Sequence, residues 1–165
     1  MAIIHIAYIS IGSNMGRRRF NCREGIRAIE ALPSTLVVDR SPLYKTQPVD
    51  FTDQEWFANA VVKAATGLEP HDLLDSLQVI QRGAGRVKDS VRFGPRLLDL
   101  DILLYDDRIL HTPELEIPHP RMHKRRFVLQ PICDINPDII HPLLNISLKS
   151  LLNQLDDNEQ VVFEM

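Results

Sequence analysis

The sequence predicts an α+β sandwich of ferredoxin-like type: a mainly antiparallel sheet with helices packed on it and long mobile loops between them. Three observations lead there. Strand-type and helix-type segments interleave as βαββαβ, with further helical segments at the rear. No apolar run approaches the ~20 residues that a bilayer span requires, and no repeat, linker or low-complexity tract divides the 165 residues. Hydrophobic residues at 44% and charged residues at 25% describe an ordinary globular chain, which argues against disorder. One domain over 1–165 is the expectation, since a chain of this length buries roughly 70% of its unfolded surface without a disulfide or metal staple.

The elements follow in order. Ile3 to Ile11 is a β-rich run, and Gly12-Ser13-Asn14 punctuates it as a turn. Arg17 to Leu32 has the spacing of an amphipathic helix, with Phe20, Ile26, Ile29 and Leu32 on its apolar face and Pro33 closing it. Thr35 to Tyr44 predicts a strand, followed by a loop at Thr46-Gln47-Pro48. Phe57 to Thr66 predicts another, with Ala58, Ala60 and Val62 on one face and Phe57, Asn59 and Val61 on the other. Pro70 opens a helix that runs to about Arg82, packs Leu73, Leu74, Leu77 and Ile80 inward, and stops at Gly83 and Gly85. Leu97 to Tyr105 is apolar apart from Asp99 and Asp101 and reads as a central strand. Arg125 to Cys133 and Leu148 to Leu155 predict short helices, and Val161-Val162-Phe163 a last edge strand.

Charge is uneven. Arg82 to Arg96 carries five basic residues against Asp89 alone, and His119 to Arg126 carries four with no acid, in a chain of net charge −3. Two short basic islands on an acidic body suit a small polyanion better than nucleic acid, which calls for a broad basic surface. Cys22 and Cys133 are too few for a disulfide framework and read as core thiols of a reducing compartment, the cytoplasm. Met1 to Ile11 lacks the basic start and small-residue cleavage site of a leader, and none is expected.

Asp99 and Asp101 are the most informative pair. Residues two apart on a strand point to one face with Cα atoms roughly 6.5–7 Å apart. Two carboxylates there repel and lose hydration unless a cation compensates them. Magnesium is held by one or two carboxylates plus substrate phosphates, and two such ions roughly 3.5–4 Å apart form the usual clamp for phosphoryl-type displacement. Upstream, Arg92-Phe93-Gly94-Pro95-Arg96 combines a tight turn with guanidinium forks that match phosphate, and Arg86 follows the flexible Gly83-Ala84-Gly85. His119 and His123 have the spacing of a zinc half-site, but Pro120 breaks the helix it would need; phosphate-contacting and purely structural histidines are the other readings. No phosphate-binding Gly-x4-Gly-Lys loop and no protein-kinase motif set occurs.

Several strings in register carry a family resemblance. They are Gly12-Ser13-Asn14, Tyr44-Lys45-Thr46-Gln47-Pro48-Val49, Phe57-Ala58-Asn59-Ala60 and Gly85-Arg86, then the run Phe93 to Ile102 and the run Pro118 to Leu129. Over nearly its whole length the chain resembles hydroxymethyl-dihydropterin pyrophosphokinase, a folate-pathway enzyme. The resemblance implies ATP bound with two magnesium ions, attack of the pterin hydroxymethyl oxygen on the β-phosphorus, and AMP leaving. Asp99 and Asp101 would hold the metals, with Asp99 also near the pterin. Arg86 and Arg96 would contact phosphates, Lys88 and Arg92 would lie on the same mobile loop, His119 and Arg125 would bind the triphosphate, and Gln78 would lie at the ATP site. Asn59 would hydrogen-bond the pterin, its ring stacked between Phe57 and Phe127, with backbone near Thr46 and Pro48 reading its edge. Either Asp101 or a metal-bound water would take the hydroxyl proton. The expected partners are these small molecules alone, with no nucleic acid and no membrane, and the protein is expected to be a monomer. The chain departs from the family's frequent residues at Phe93 (Trp), Phe57 (Tyr), Leu97 (Thr) and Gln81 (an acid); the metal and phosphate positions are intact. A non-catalytic ligand-binding module on the same sandwich and a single-stranded RNA-binding sheet are the rival readings; the latter needs surface aromatics that the Pro-Arg after Gly94 does not supply.

Overall fold

A computed structural model describes residues 4–48, 53–85, 97–156 and 162–165. Its elements are β1 (His5–Ser13), α1 (Arg18–Glu30), β2 (Thr35–Arg40), β3 (Tyr44–Thr46), β4 (Phe57–Thr66), α2 (Pro70–Gly83), β5 (Asp99–Tyr105), β6 (Leu110–His111) and β7 (Glu116–Ile117). A 3-10 turn at Met122–Lys124, α3 (Arg126–Ile135), α4 (Leu148–Asn153) and β8 (Val162–Glu164) complete the chain. Among the described residues the main sheet runs β5-β1-β4-β3-β8 with β2 also on β4, and β6 pairs with β7 in a separate hairpin. All these pairings are antiparallel. This is the α+β architecture that the interleaved pattern predicts.

Period-two alternation sends side chains to two cores. Ala7, Ile9, Ile11, Ala58, Val62 and Ala64 meet Cys22, Ile26 and Ile29 of α1 and Leu73 and Leu77 of α2. The opposite face, through Tyr8, Val61, Leu103 and Leu104, meets Val128, Leu129 and Ile132 of α3 and Leu148 and Leu151 of α4. Each fully buried aliphatic side chain contributes about 1.5–3 kcal/mol relative to exposure, so the two cores hold both helical layers to one sheet. α1 comes especially close: a Cβ on Gly25 would lie 2.9 Å from the Leu98 side chain. Cys22 lies inside the first core and Cys133 half-buried against the second, and burial pushes both thiols up, Cys133 to about 11.

Four expectations change. Gly12 and Ser13 are not a turn but the last residues of β1, paired with Asn59 and Ala58. The strand predicted over Thr35 to Tyr44 is two strands on successive lengths of β4. Pro42 lacks an N–H for the ladder, and at this break Ser41 serves Val61 twice, donating its N–H to Val61 O at 2.9 Å and accepting Val61 N–H on Oγ at 3.0 Å. Phe20 lies not on the buried face of α1 but 45% exposed, with the Arg17 guanidinium 4.3 Å from its ring centroid. Among the described residues β5 is the end strand of the sheet, not a central one. Its apolar run reflects cover on both faces, and a register shift opposite Tyr8/Ile9 turns Leu103 and Leu104 to the same core.

Candidate active site

The sheet turns polar beyond the apolar cluster that it shares with α3 and α4. On their face the apolar cluster includes Tyr8, Val61 and Leu103. Continuing along the same strands, the same-facing positions become Ser10 and Gly12 on β1, Asn59 and Phe57 on β4, and Asp101 and Asp99 on β5. The register aligns Tyr44, Asn59, Gly12 and Asp99 in one row across four strands, and Val61, Ser10 and Asp101 in the next. Asp99 and Asp101 are both half-buried.

β5 reaches this end as an edge strand whose outward groups are taken up from outside the sheet. Gln81, buried to 4% exposure on α2, accepts the Leu100 N–H on Oε1 at 2.6 Å, between the two aspartates. His119 donates its backbone N–H to Leu103 O at 2.9 Å, which lays its segment along the same edge. The His119 ring accepts the Arg121 N–H on Nδ1 at 3.2 Å, so the neutral ring carries its proton on Nε2. Burial first, then the Arg125 charge, lower the His119 pKa to about 4, while Asp99 opposes them. A neutral N–H donor thus lies in the field of both Asp99 and Arg125. Arg125, at the entry to α3, lies 5.4 Å from the ring centroid of Phe127.

The other half of this sheet end is amide and aromatic. Asn59 is buried and donates from Nδ2 to Thr46 Oγ1. Thr46 is 1% exposed and pairs with Phe57, and Pro48 is buried just beyond it. Phe127 stands in the first turn of α3, the helix packed on β4. The approach to Phe57 is tied back to the start of α1: Arg18 donates to Trp56 O at 2.6 Å, and Asn14 donates to Gln54 Oε1 at 2.8 Å and Glu55 O at 3.1 Å.

Of the residues predicted for the site, Thr46, Pro48, Phe57, Asn59, Asp99, Asp101, His119, Arg125 and Phe127 belong to this sheet end or to the segments bordering it. Gln78 is exposed on α2. Arg86, Lys88, Arg92, Phe93 and Arg96 lie outside the described residues. Sequence reading missed Gln81 as a clamp and Ser10 as the neighbour of Asp101; a glutamine four residues after Leu77 on a buried stripe was the available signal for the first. The zinc reading gains no support: among the described residues no three His, Cys, Asp or Glu side chains group to hold a metal, and the His123 ring lies 6.1 Å from that of His141 instead.

Fold and polar end together describe an antiparallel α+β sandwich with two carboxylates, a neutral histidine and a buried amide at one end of its sheet. The model of the family 7,8-dihydro-6-hydroxymethylpterin-pyrophosphokinase matches residues 8–137, and the chain belongs to that family. A pyrophosphokinase of Pseudomonas aeruginosa named for 2-amino-4-hydroxy-6-hydroxymethyldihydropteridine is 44% identical over 85% of this chain and 86% of its own. Its namesake in Haemophilus influenzae is 40% identical over 94% and 96%. The folic acid synthesis protein fol1 of Pneumocystis carinii is 41% identical over 92% of this chain but only 20% of its own length. A Plasmodium falciparum HPPK-DHPS structure with pteroate superposes with a TM-score of 0.75 at 16% identity, over 92% of this chain and 42% of that one, a likeness of fold.

Proposed function

We propose that Asp99 and Asp101 hold the divalent cations with which this pyrophosphokinase moves the β,γ-pyrophosphoryl group of ATP onto 6-hydroxymethyl-7,8-dihydropterin, releasing AMP, in folate biosynthesis. Family membership carries the reaction. The observation supporting the site is the row that aligns Asn59, Gly12 and Asp99 on one face, an amide at one end and a carboxylate at the other. The donors fit magnesium: two half-buried carboxylates at alternate positions of β5 form an all-oxygen set too small for a cage, which substrate phosphates would complete. Two Mg2+ ions bound there would neutralise charge on the triphosphate.

The chain's own residues do the rest by position. Neutral His119 offers Nε2–H to a phosphate oxygen and Arg125 offers a guanidinium, without either needing to lose a proton near neutrality. Asn59, oriented by Thr46, reads the pterin edge, and Phe57 and Phe127 give its flat ring apolar faces. In this reading Arg86, Lys88, Arg92 and Arg96 close over the phosphates and Gln78 borders the ATP. Asp101 or a metal-bound water takes the hydroxyl proton. The reading takes 1–165 as one domain acting as a cytoplasmic monomer; the two free cysteines suit a reducing compartment. Among the described residues no helix is long and apolar enough to cross a membrane.

The test is turnover of purified protein with ATP, Mg2+ and the reduced pterin, read as AMP against ADP. AMP is expected from the wild type, with loss of at least three orders of magnitude in both Asp99→Ala and Asp101→Ala. Near-normal rates in both variants would refute the metal assignment, and ADP as the product would refute the group transferred.

A further inference from the structure

Gly12 stands inside a row in which the other three strands carry Tyr44, Asn59 and Asp99. Its neighbours in register are Asn59 on one side and Asp99 on the other. Glycine is enforced where the backbone adopts a positive φ; among the described residues the glycines that do so are Gly16 and Gly85, not Gly12. Nor does a turn require it, since Gly12 is paired within β1. What the position does require is space. A Cβ there would lie 2.6 Å from Asn59 Oδ1, 3.7 Å from Asn59 Cγ and 3.8 Å from Phe57 Cδ1.

The Asn59 amide has little freedom to yield. It is 7% exposed, and its Nδ2 is committed to Thr46 Oγ1, which is itself 1% exposed. That bond fixes the plane of the amide and leaves the carbonyl oxygen over the bare backbone of Gly12. Adjacent strands lie about 4.7–4.9 Å apart, so with its oxygen over Gly12 the amide stands roughly one strand spacing from the Asp99 position, and Gly12 adds no side chain of its own to that space. A flat bicyclic ring lying on this face can set an N–H edge on Asn59 Oδ1 and carry a one-carbon arm toward the neighbouring carboxylate.

We propose that Gly12 is a positioning residue for pterin binding: its missing side chain leaves the Asn59 carbonyl in its accepting pose, one strand away from Asp99. The inference rests on the pterin and metal reading above and adds the residue that joins its two halves. It acts through Asn59, so its effect has to vanish when that amide is gone.

The experiment is a double-mutant cycle on pterin binding, measured by calorimetry with Gly12→Ala, Asn59→Ala and the pair, alongside ATP affinity and kcat. Gly12→Ala is expected to weaken pterin at least tenfold while ATP affinity stays within twofold. In the Asn59→Ala background the same change is expected to weaken pterin less than threefold. An unchanged pterin affinity in Gly12→Ala, or an equal loss in both backgrounds, overturns the proposal. Should Gly12→Ala fail to fold, Gly12→Ala/Asn59→Gly is expected to fold, because the steric conflict is with that amide; failure of this pair also overturns it. An Asn59→Ala protein that binds pterin like the wild type places the error in the pterin assignment itself.

Discussion

His119 is kept neutral by where it sits. Burial is the larger cause and the Arg125 charge the next, and together they bring its pKa to about 4 despite Asp99. The sign of the pH effect follows. Above pH ~6.5 the ring is neutral in both folded and unfolded chains and contributes nothing to pH dependence. Between 6.5 and about 4 the unfolded chain takes a proton that the folded one refuses, so stability is lost as pH falls, by up to about 3 kcal/mol at one pKa unit per ~1.4 kcal/mol. Urea midpoints from pH 7 to 4.5 should fall less steeply in His119→Gln than in the wild type, and an NMR titration of the ring should stay flat through pH 6.5. A ring that titrates at 6.5 would remove the neutral-donor role. The residue type and its neighbour Arg125 were legible in the sequence as a basic cluster. Its depressed pKa was not, because burial is a tertiary quantity that no count of residues contains.

At the scale of elements, β5 is held from α2. An edge strand presents unpaired N–H groups, and the one at Leu100 is taken by Gln81 at 2.6 Å. Gln81→Met keeps the bulk and removes the acceptor, leaving a buried N–H unsatisfied; it should cost about 1–3 kcal/mol in urea unfolding and speed exchange of the Leu100 amide. Gln81→Glu keeps an acceptor and should retain most of the protection. Unchanged exchange at Leu100 in Gln81→Met would show that the bond does not hold the strand. The sequence placed both elements to within two residues, since Leu73 and Leu77 repeat with helical period and Leu97 to Tyr105 is apolar. Its assignment of β5 to the centre failed for a physical reason: burial on both faces can come from two helical layers as well as from flanking strands. The short β6–β7 hairpin carried too few alternating positions to be seen.

Over the whole molecule, metal and nucleotide should act as one stabilising ligand. At a hundredfold excess over Kd a ligand adds ~2.7 kcal/mol, and at roughly 2–4 °C per kcal/mol for a chain of this size Mg2+ with ATP should raise Tm by about 5–10 °C. Chelation with EDTA should abolish most of that rise, and Asp99→Asn should show little of it to begin with. A full shift in EDTA would mean that ATP binds without help from the carboxylates. By itself the sequence determined the fold class, the period of each main element and, through strings held in register, the family; these depend on local spacing and residue type, which the chain states directly. Only the tertiary structure decided that Gly12 stands in a strand rather than a turn, that it separates Asn59 from Asp99, and that Gln81 clamps the strand between the aspartates. Those facts depend on which strands lie side by side and in what register, and pairing between residues forty to ninety positions apart is set by the packing of both cores together, not by any local pattern.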